Sequence, residues 1–272
     1  MYIEINSVPL QGKNYTKKNN MKKNPLTIKW ESDYWHPTMT TDAVIFGFDG
    51  EKIDLLLIKR AIEPFKDCWA LPGGFLKEED VDAKACAYRE LKEESCIDLN
   101  GIQLEELKSY SAKDRDPRER VITIAFVALV PKSKYADVKG ADDAREAKWF
   151  SLDELPPLAF DHQQIVEDAH NSLKQRIHFE PIGFHLLDKE FTIAQLHSIY
   201  KAILQPKEAD GKGKYSTLND KKNFARKLLK LKYIEATGKK SQEATPYKRP
   251  ELFTFVEDAY NKAKEDGIWL EL

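Results

Sequence analysis

With 272 residues, the chain can hold one large domain or two modest ones. Charged side chains make up 32% of it and apolar ones 42%, a balance that excludes a disordered or membrane-embedded protein. The net charge is −2, and an odd number of cysteines (Cys68, Cys86, Cys96) without paired metal-ligand spacing predicts reduced core thiols in a cytoplasmic protein.

Residues 1–36 are polar and lysine-rich, lack the apolar core of a secretory signal, and are expected to form a loosely held arm. Residues 42–50 and 51–60 then predict two strands joined at Asp49-Gly50, a pair suited to a tight hairpin turn. Residues 67–75 read as loop and short strand, ending in Pro72-Gly73-Gly74. Residues 80–95 predict a helix, because Ala83, Ala87 and Leu91 recur every fourth position beside Tyr88. Further strands are expected over 102–109, 120–130 and 147–150. The apolar run 121–130 is too short to cross a bilayer and reads as a buried strand. A second helix is expected over 161–177, with Asp161 as its cap and His162 in a local packing role. Strands framing a central helix indicate an α/β layered domain, here residues 37–178.

Residues 179–272 change pattern to helix, loop, helix and hairpin. Thr192 can cap a helix with the apolar face Ile193, Leu196, Ile199, Tyr200 and Ile203. Asn219 or Asp220 can cap a second one, running through residue 232. It would bury Phe224, Leu228, Leu229 and Leu231 and display Lys221, Lys222, Arg226, Lys227 and Lys230. Segments 233–237 and 252–256 would pair as strands across a basic loop. Such a succession is a winged-helix topology: the second helix enters a major groove of double-stranded DNA and the hairpin, with Lys239 and Lys240, touches phosphate. Charge agrees, since residues 205–250 hold thirteen basic and five acidic side chains, with Lys207, Lys212, Lys214 and Lys248 among the former.

The chemistry-bearing stretch is residues 71–97. Glu93 and Glu94 follow Glu90 by one helical turn, so the three carboxylates share a face. Clustered anions repel unless a cation neutralises them, and hard oxygen ligands select Mg²⁺ or Mn²⁺. A divalent ion there can polarise a phosphoryl oxygen and acidify a bound water, as cleavage of a diphosphate requires. Arg89 can pair with one of the carboxylates, and Gly73 and Gly74 permit a turn that brings backbone close to phosphate or metal.

With the upstream Pro-Gly-Gly-Phe, this stretch resembles the Nudix family. Its pattern runs from a glycine through an early glutamate to Arg-Glu-apolar-any-Glu-Glu-any-Gly-apolar. Gly74, Arg89, Glu90, Leu91, Glu93, Glu94 and Ile97 match. Two positions depart. Counting from Gly74 puts Asp80 at the early glutamate, whereas counting back from Arg89 puts Val81 there, so the loop holds an extra residue and Asp80 or Glu79 stands in. Cys96 replaces the later glycine.

A wider resemblance spans residues 42–256. The strings KDRDPRERVITIAFVALV, LAFDHQQIV and EPIGFHLLDKEFTIAQLHSIY look like the two-domain Nudix-related transcriptional regulators. It implies a Nudix α/β/α sandwich with a mixed sheet that binds ADP-ribose or another sugar ligand, followed by a winged domain that binds operator DNA; a two-fold operator would require a homodimer, because operator symmetry mirrors protein symmetry. Arg115, Arg118 and Arg120 fall in the matching segment and can contact a diphosphate, with Phe75 or Trp69 stacking on adenine. The leading expectation is a Mg²⁺-dependent hydrolase with catalytic Arg89, Glu90, Glu93 and Glu94 and an added DNA-binding domain. The alternative is a sensor with little or no hydrolysis.

Overall fold

The computed structural model describes residues 34–97, 103–205, 216–242 and 249–267, with only the backbone of residues 216 and 217. The expected arm therefore lies almost wholly outside the described residues, as do Lys207, Lys212, Lys214 and Lys248.

A seven-stranded mixed sheet organises the first half. Strand β1 (Thr38–Phe48) and β2 (Ile53–Arg60) form the expected antiparallel pair, with Gly50 at φ +111° in the turn. Short strands β3 (Trp69–Ala70) and β4 (Gly73–Phe75) add to β2 and β1. On the other side, β6 (Val121–Pro131) runs parallel to β1, and β5 (Glu105–Tyr110) closes that edge. β7 (Ala144–Ser151) pairs with β2.

Both faces of β1 are buried, and its alternate side chains enter different cores. Ala43 and Ile45 pack with Ala87 and Leu91 of helix α1 (Ala83–Ser95), whereas Val44 and Phe46 pack with Ile165, Val166 and Ala169 of α2 (His162–Arg176). The result is the expected α/β/α sandwich. Helix α1 starts later than expected, because Asp82 accepts the Ala85 N–H at 2.7 Å as its cap and leaves residues 80–82 outside. Asp161 is likewise no side-chain cap of α2, since its carboxylate is taken by Arg115.

The second half holds α3 (Ile193–Leu204), α4 (Ser216–Asn219), α5 (Lys221–Leu228), strands β8 (Ile234–Lys240) and β9 (Glu251–Phe255), and α6 (Glu257–Glu265). Thr192 and Gln195 form a capping box for α3, and Asp220 caps α5 through the N–H groups of Lys222 and Asn223. α5 is shorter than the sequence suggests. The chain turns at Leu229, with Lys230 N–H bonding Lys227 O, so Leu231 enters the core while Leu229 stays 49% exposed. One core runs through both halves, from Leu173 and Ile177 of the first to Leu196, Ile199 and Tyr200 of the second. Of the thiols, Cys86 is buried, Cys68 half-buried and Cys96 exposed, so the expectation of three core cysteines fails at Cys96.

Candidate functional site

Between β4, α1 and the start of α2 lies a cavity of about 200 Å³. Gly73, Gly74, Phe75, Glu90, Glu93, Glu94, Arg115 and Arg118 line it; Arg120 does not. Trp69 is outside the lining too, its ring set edge-on against Phe150 at 4.6 Å.

The anchor of this wall is Arg89. Its guanidinium donates to Asp80 through Nε at 2.9 Å and a terminal nitrogen at 2.7 Å, and to Glu90 at 2.6 Å, Glu93 at 3.1 Å and the Phe75 carbonyl at 3.1 Å. Asp80 is held well below the usual carboxylate range by that fork, while Val81 is 89% exposed. Glycine at 73 is required by close approach, since a Cβ there would lie 2.2 Å from the Thr41 backbone carbonyl oxygen, whereas at 74 it would meet the movable Glu90 carboxyl at 2.4 Å. Gly73 donates its N–H to Glu94 at 2.8 Å. Neither glycine has a positive φ, so both serve in extended strand rather than in the turn expected of them. Cys96, in the left-handed region at φ 58°, ends α1 where the family pattern has glycine.

Burial pushes the Glu94 carboxyl up to about 8, with the neighbouring Glu90 and Asp42 adding to the effect, and burial raises Glu90 as well. Hard carboxylate oxygens on one wall suit a divalent cation. Among the described residues, however, no three such side chains already converge on one point, because Arg89 holds Glu90 and Glu93 and Gly73 holds Glu94.

Opposite stands a buried network that sequence reasoning missed. His162 accepts the Leu71 N–H on Nδ1 at 2.9 Å, which leaves the proton on Nε2, 3.4 Å from Asp42. With Nδ1 accepting that bond the ring is neutral, and burial lowers its pKa in the same sense. Arg115 spends its guanidinium on Asp161, at 2.8 and 3.0 Å, and on Asp42 at 3.4 Å. Asp42 and His162 line the cavity, so His162 does more than pack locally. The available signal was a charged residue inside an otherwise apolar strand, since a buried charge needs a partner.

The mouth is cationic and aromatic. Arg118, bound to Asp116 at 2.7 and 3.0 Å, lies 4.9 Å from the Phe75 ring centre and 5.8 Å from that of Phe160, over which Arg60 also sits at 5.0 Å. Such a mouth can receive a diphosphate and a base, through charge and stacking respectively.

In the second half, Lys221, Lys222, Arg226, Lys230, Lys239 and Lys240 are exposed and Lys227 is half-buried. Lys230 lies just past α5 rather than on it. Lys239 contacts Glu190 at 2.7 Å.

The NUDIX domain pattern matches residues 36–169 and the NrtR DNA-binding winged helix domain matches residues 183–255. The chain is 32% identical to the ADPR responsive transcriptional repressor NtrR of Acinetobacter baylyi, over 85% of this chain and 87% of that one. It is 41% identical to the ADP-ribose pyrophosphatase of Methanocaldococcus jannaschii, over 61% of this chain and 90% of that one. In structure it resembles Shewanella oneidensis NrtR complexed with a 27mer DNA, with a TM-score of 0.63, 27% identity, and coverage of 82% of this chain and 95% of that one.

Proposed function

Because this chain belongs to the family of two-domain Nudix-related NrtR regulators, we propose that it binds double-stranded DNA and that its Nudix cavity senses ADP-ribose or a related nucleoside diphosphate sugar. The observation that carries this reading is the union, in one continuous core, of a cavity with an arginine and phenylalanine mouth and a domain with exposed basic side chains. Arg118 and Arg60 would receive the diphosphate, Phe75 or Phe160 the base, and Gly73 and Gly74 would let the ligand approach backbone. Arg115, with its guanidinium already shared between Asp161 and Asp42, shapes the wall and feels the ligand's charge from there. Lys221, Lys222, Arg226, Lys227, Lys230, Lys239 and Lys240 would meet phosphate and base edges. A homodimer in the cytoplasm fits a two-fold operator.

Hydrolysis is the second reading, favoured by the retained carboxylates and by the pyrophosphatase relative. Glu90, Glu93 and Glu94 would hold Mg²⁺ or Mn²⁺, which would supply Lewis acidity and an acidified water. This requires Glu90 and Glu93 to leave Arg89, while Asp80 keeps that guanidinium in place.

Purified protein incubated with ADP-ribose and Mg²⁺ separates the two. Saturable binding that changes affinity for promoter DNA, without AMP release, supports the sensor alone. AMP release that vanishes in both Glu93→Gln and Glu94→Gln adds the enzyme. Absence of ADP-ribose binding overturns both for this ligand.

A further inference from the structure

Building on the sensor reading, we propose that helix α2 couples the cavity to the DNA-binding half, its first turn reading ligand and its last turns positioning α3. The helix reaches both places. At its start, His162 lines the cavity and holds the Leu71 N–H, while the preceding Asp161 takes the Arg115 guanidinium. An anion in the cavity competes with Asp161 and Asp42 for Arg115, so occupancy acts directly on the entry to α2.

Toward its other end, α2 meets the second half through polar contacts of defined geometry. His170 Nε2 lies 3.2 Å from the Ile203 carbonyl near the end of α3, and the Tyr200 hydroxyl of α3 donates to the Ile177 carbonyl just after α2, at 3.3 Å. Lys174 reaches the Gln205 side chain at 3.5 Å. Between the two ends, Ile165, Val166, Ala169 and Leu173 are buried, so the intervening turns are clamped and displacement at one end reaches the other. Fifteen residues make a rod of about 22 Å.

The junction leaves room for a response. A cleft of about 630 Å³ opens beside it, lined by Leu129 of β6, Leu173 and Arg176 of α2, and Pro181, Ile182 and His185 of the segment leading to α3. Arg176 ties that segment to the first half, pairing with Glu180 beyond the helix and with Glu105 of β5. Movement of α2 therefore shifts α3 and its connecting segment together, without a new cavity having to form.

The test is a coupling measurement on the full chain: the Kd for promoter DNA with and without saturating ADP-ribose, in wild type, Tyr200→Phe and His170→Leu. Neither substituted residue lies in the cavity lining or on the basic face. Each variant should keep its separate affinities for ADP-ribose and for DNA within about twofold. The wild-type ratio of the two DNA affinities should be in the allosteric range of about 5- to 150-fold and fall toward unity in the variants. A helix that only supports the fold would change both separate affinities, or neither, and leave the ratio intact. Hydrogen exchange on the wild-type protein guards against unfolded variants: ADP-ribose should alter protection across residues 161–177 and at α3. An undiminished ratio in folded variants, or unchanged protection there while DNA affinity responds, overturns the α2 route alone. No effect of ADP-ribose on wild-type DNA binding overturns the sensor reading and this inference with it.

Discussion

Arg115→Met probes the buried network most severely. The Arg115 side chain is 3% exposed and serves two carboxylates, of which Asp42 is itself buried. Removing the cation strands Asp42 beside a neutral His162, in a setting where breaking a buried ion pair costs about 3–5 kcal/mol. Asp161, at the cavity rim and 24% exposed, regains water and adds little. For a cooperative unit of roughly this size, each kcal/mol shifts Tm by about 2–4 °C, which puts the expected drop at about 6–20 °C. Asp42→Asn placed on top of Arg115→Met should recover more than half of it, because the penalty belongs to the stranded charge and not to lost packing. Thermal and urea melts of the four proteins in the cycle measure this. A single variant within about 1 kcal/mol of wild type, or a double variant whose losses simply add, refutes the network as drawn.

Cys96→Gly should stabilise by about 1 kcal/mol, since it relieves a left-handed residue at the end of α1; urea melts that show no gain contradict this. Gly73→Ala drives a Cβ into the Thr41 backbone carbonyl and should weaken ADP-ribose binding at least about tenfold, by calorimetry, at a stability cost of about 1–3 kcal/mol. His170 is held down to about 4 from its ordinary 6.5, by burial first and by Lys174 second, with the Ile203 carbonyl and Asp153 opposing. Because the folded state disfavours the charged ring, its contribution is fully present above about pH 6.5 and disappears as pH falls toward about 4; His170→Gln should flatten the stability profile in that window. Lys222→Ala and Arg226→Ala should each lower the slope of log affinity for DNA against log salt by about 1, and unchanged slopes would remove those side chains from the phosphate contacts.

Much of this architecture was legible in the chain. The Asp49-Gly50 turn between two strands, the four-residue spacing of α1 and the Thr192 cap each reflect a local rule that tertiary packing did not override. Boundaries were harder, because they depend on distant partners. α1 loses its first residues because Asp82 caps it, and Asp161 fails as a cap because Arg115 claims it. The end of α5 follows from Leu231 filling the core in place of Leu229. In the site, the helix-borne carboxylates were visible from spacing alone. Asp42 on β1, Arg60 on β2, and Phe160 with His162 at the entry to α2 meet only in the folded domain, and no local pattern marks their convergence. Arg115 looked like a ligand contact because it falls in the segment that resembles the two-domain regulators, yet burial and two acidic neighbours give it a structural commitment first.

The central claim, that one chain reads a nucleotide sugar and DNA together, is tested most directly by fluorescence anisotropy of labelled promoter DNA. The full-length protein would be titrated at fixed salt, with and without saturating ADP-ribose. The account predicts that ADP-ribose changes DNA affinity at least about fivefold, and that bound DNA changes ADP-ribose affinity by the same factor and in the same direction, as linkage demands. DNA affinity that stays constant while ADP-ribose demonstrably occupies the cavity would contradict it.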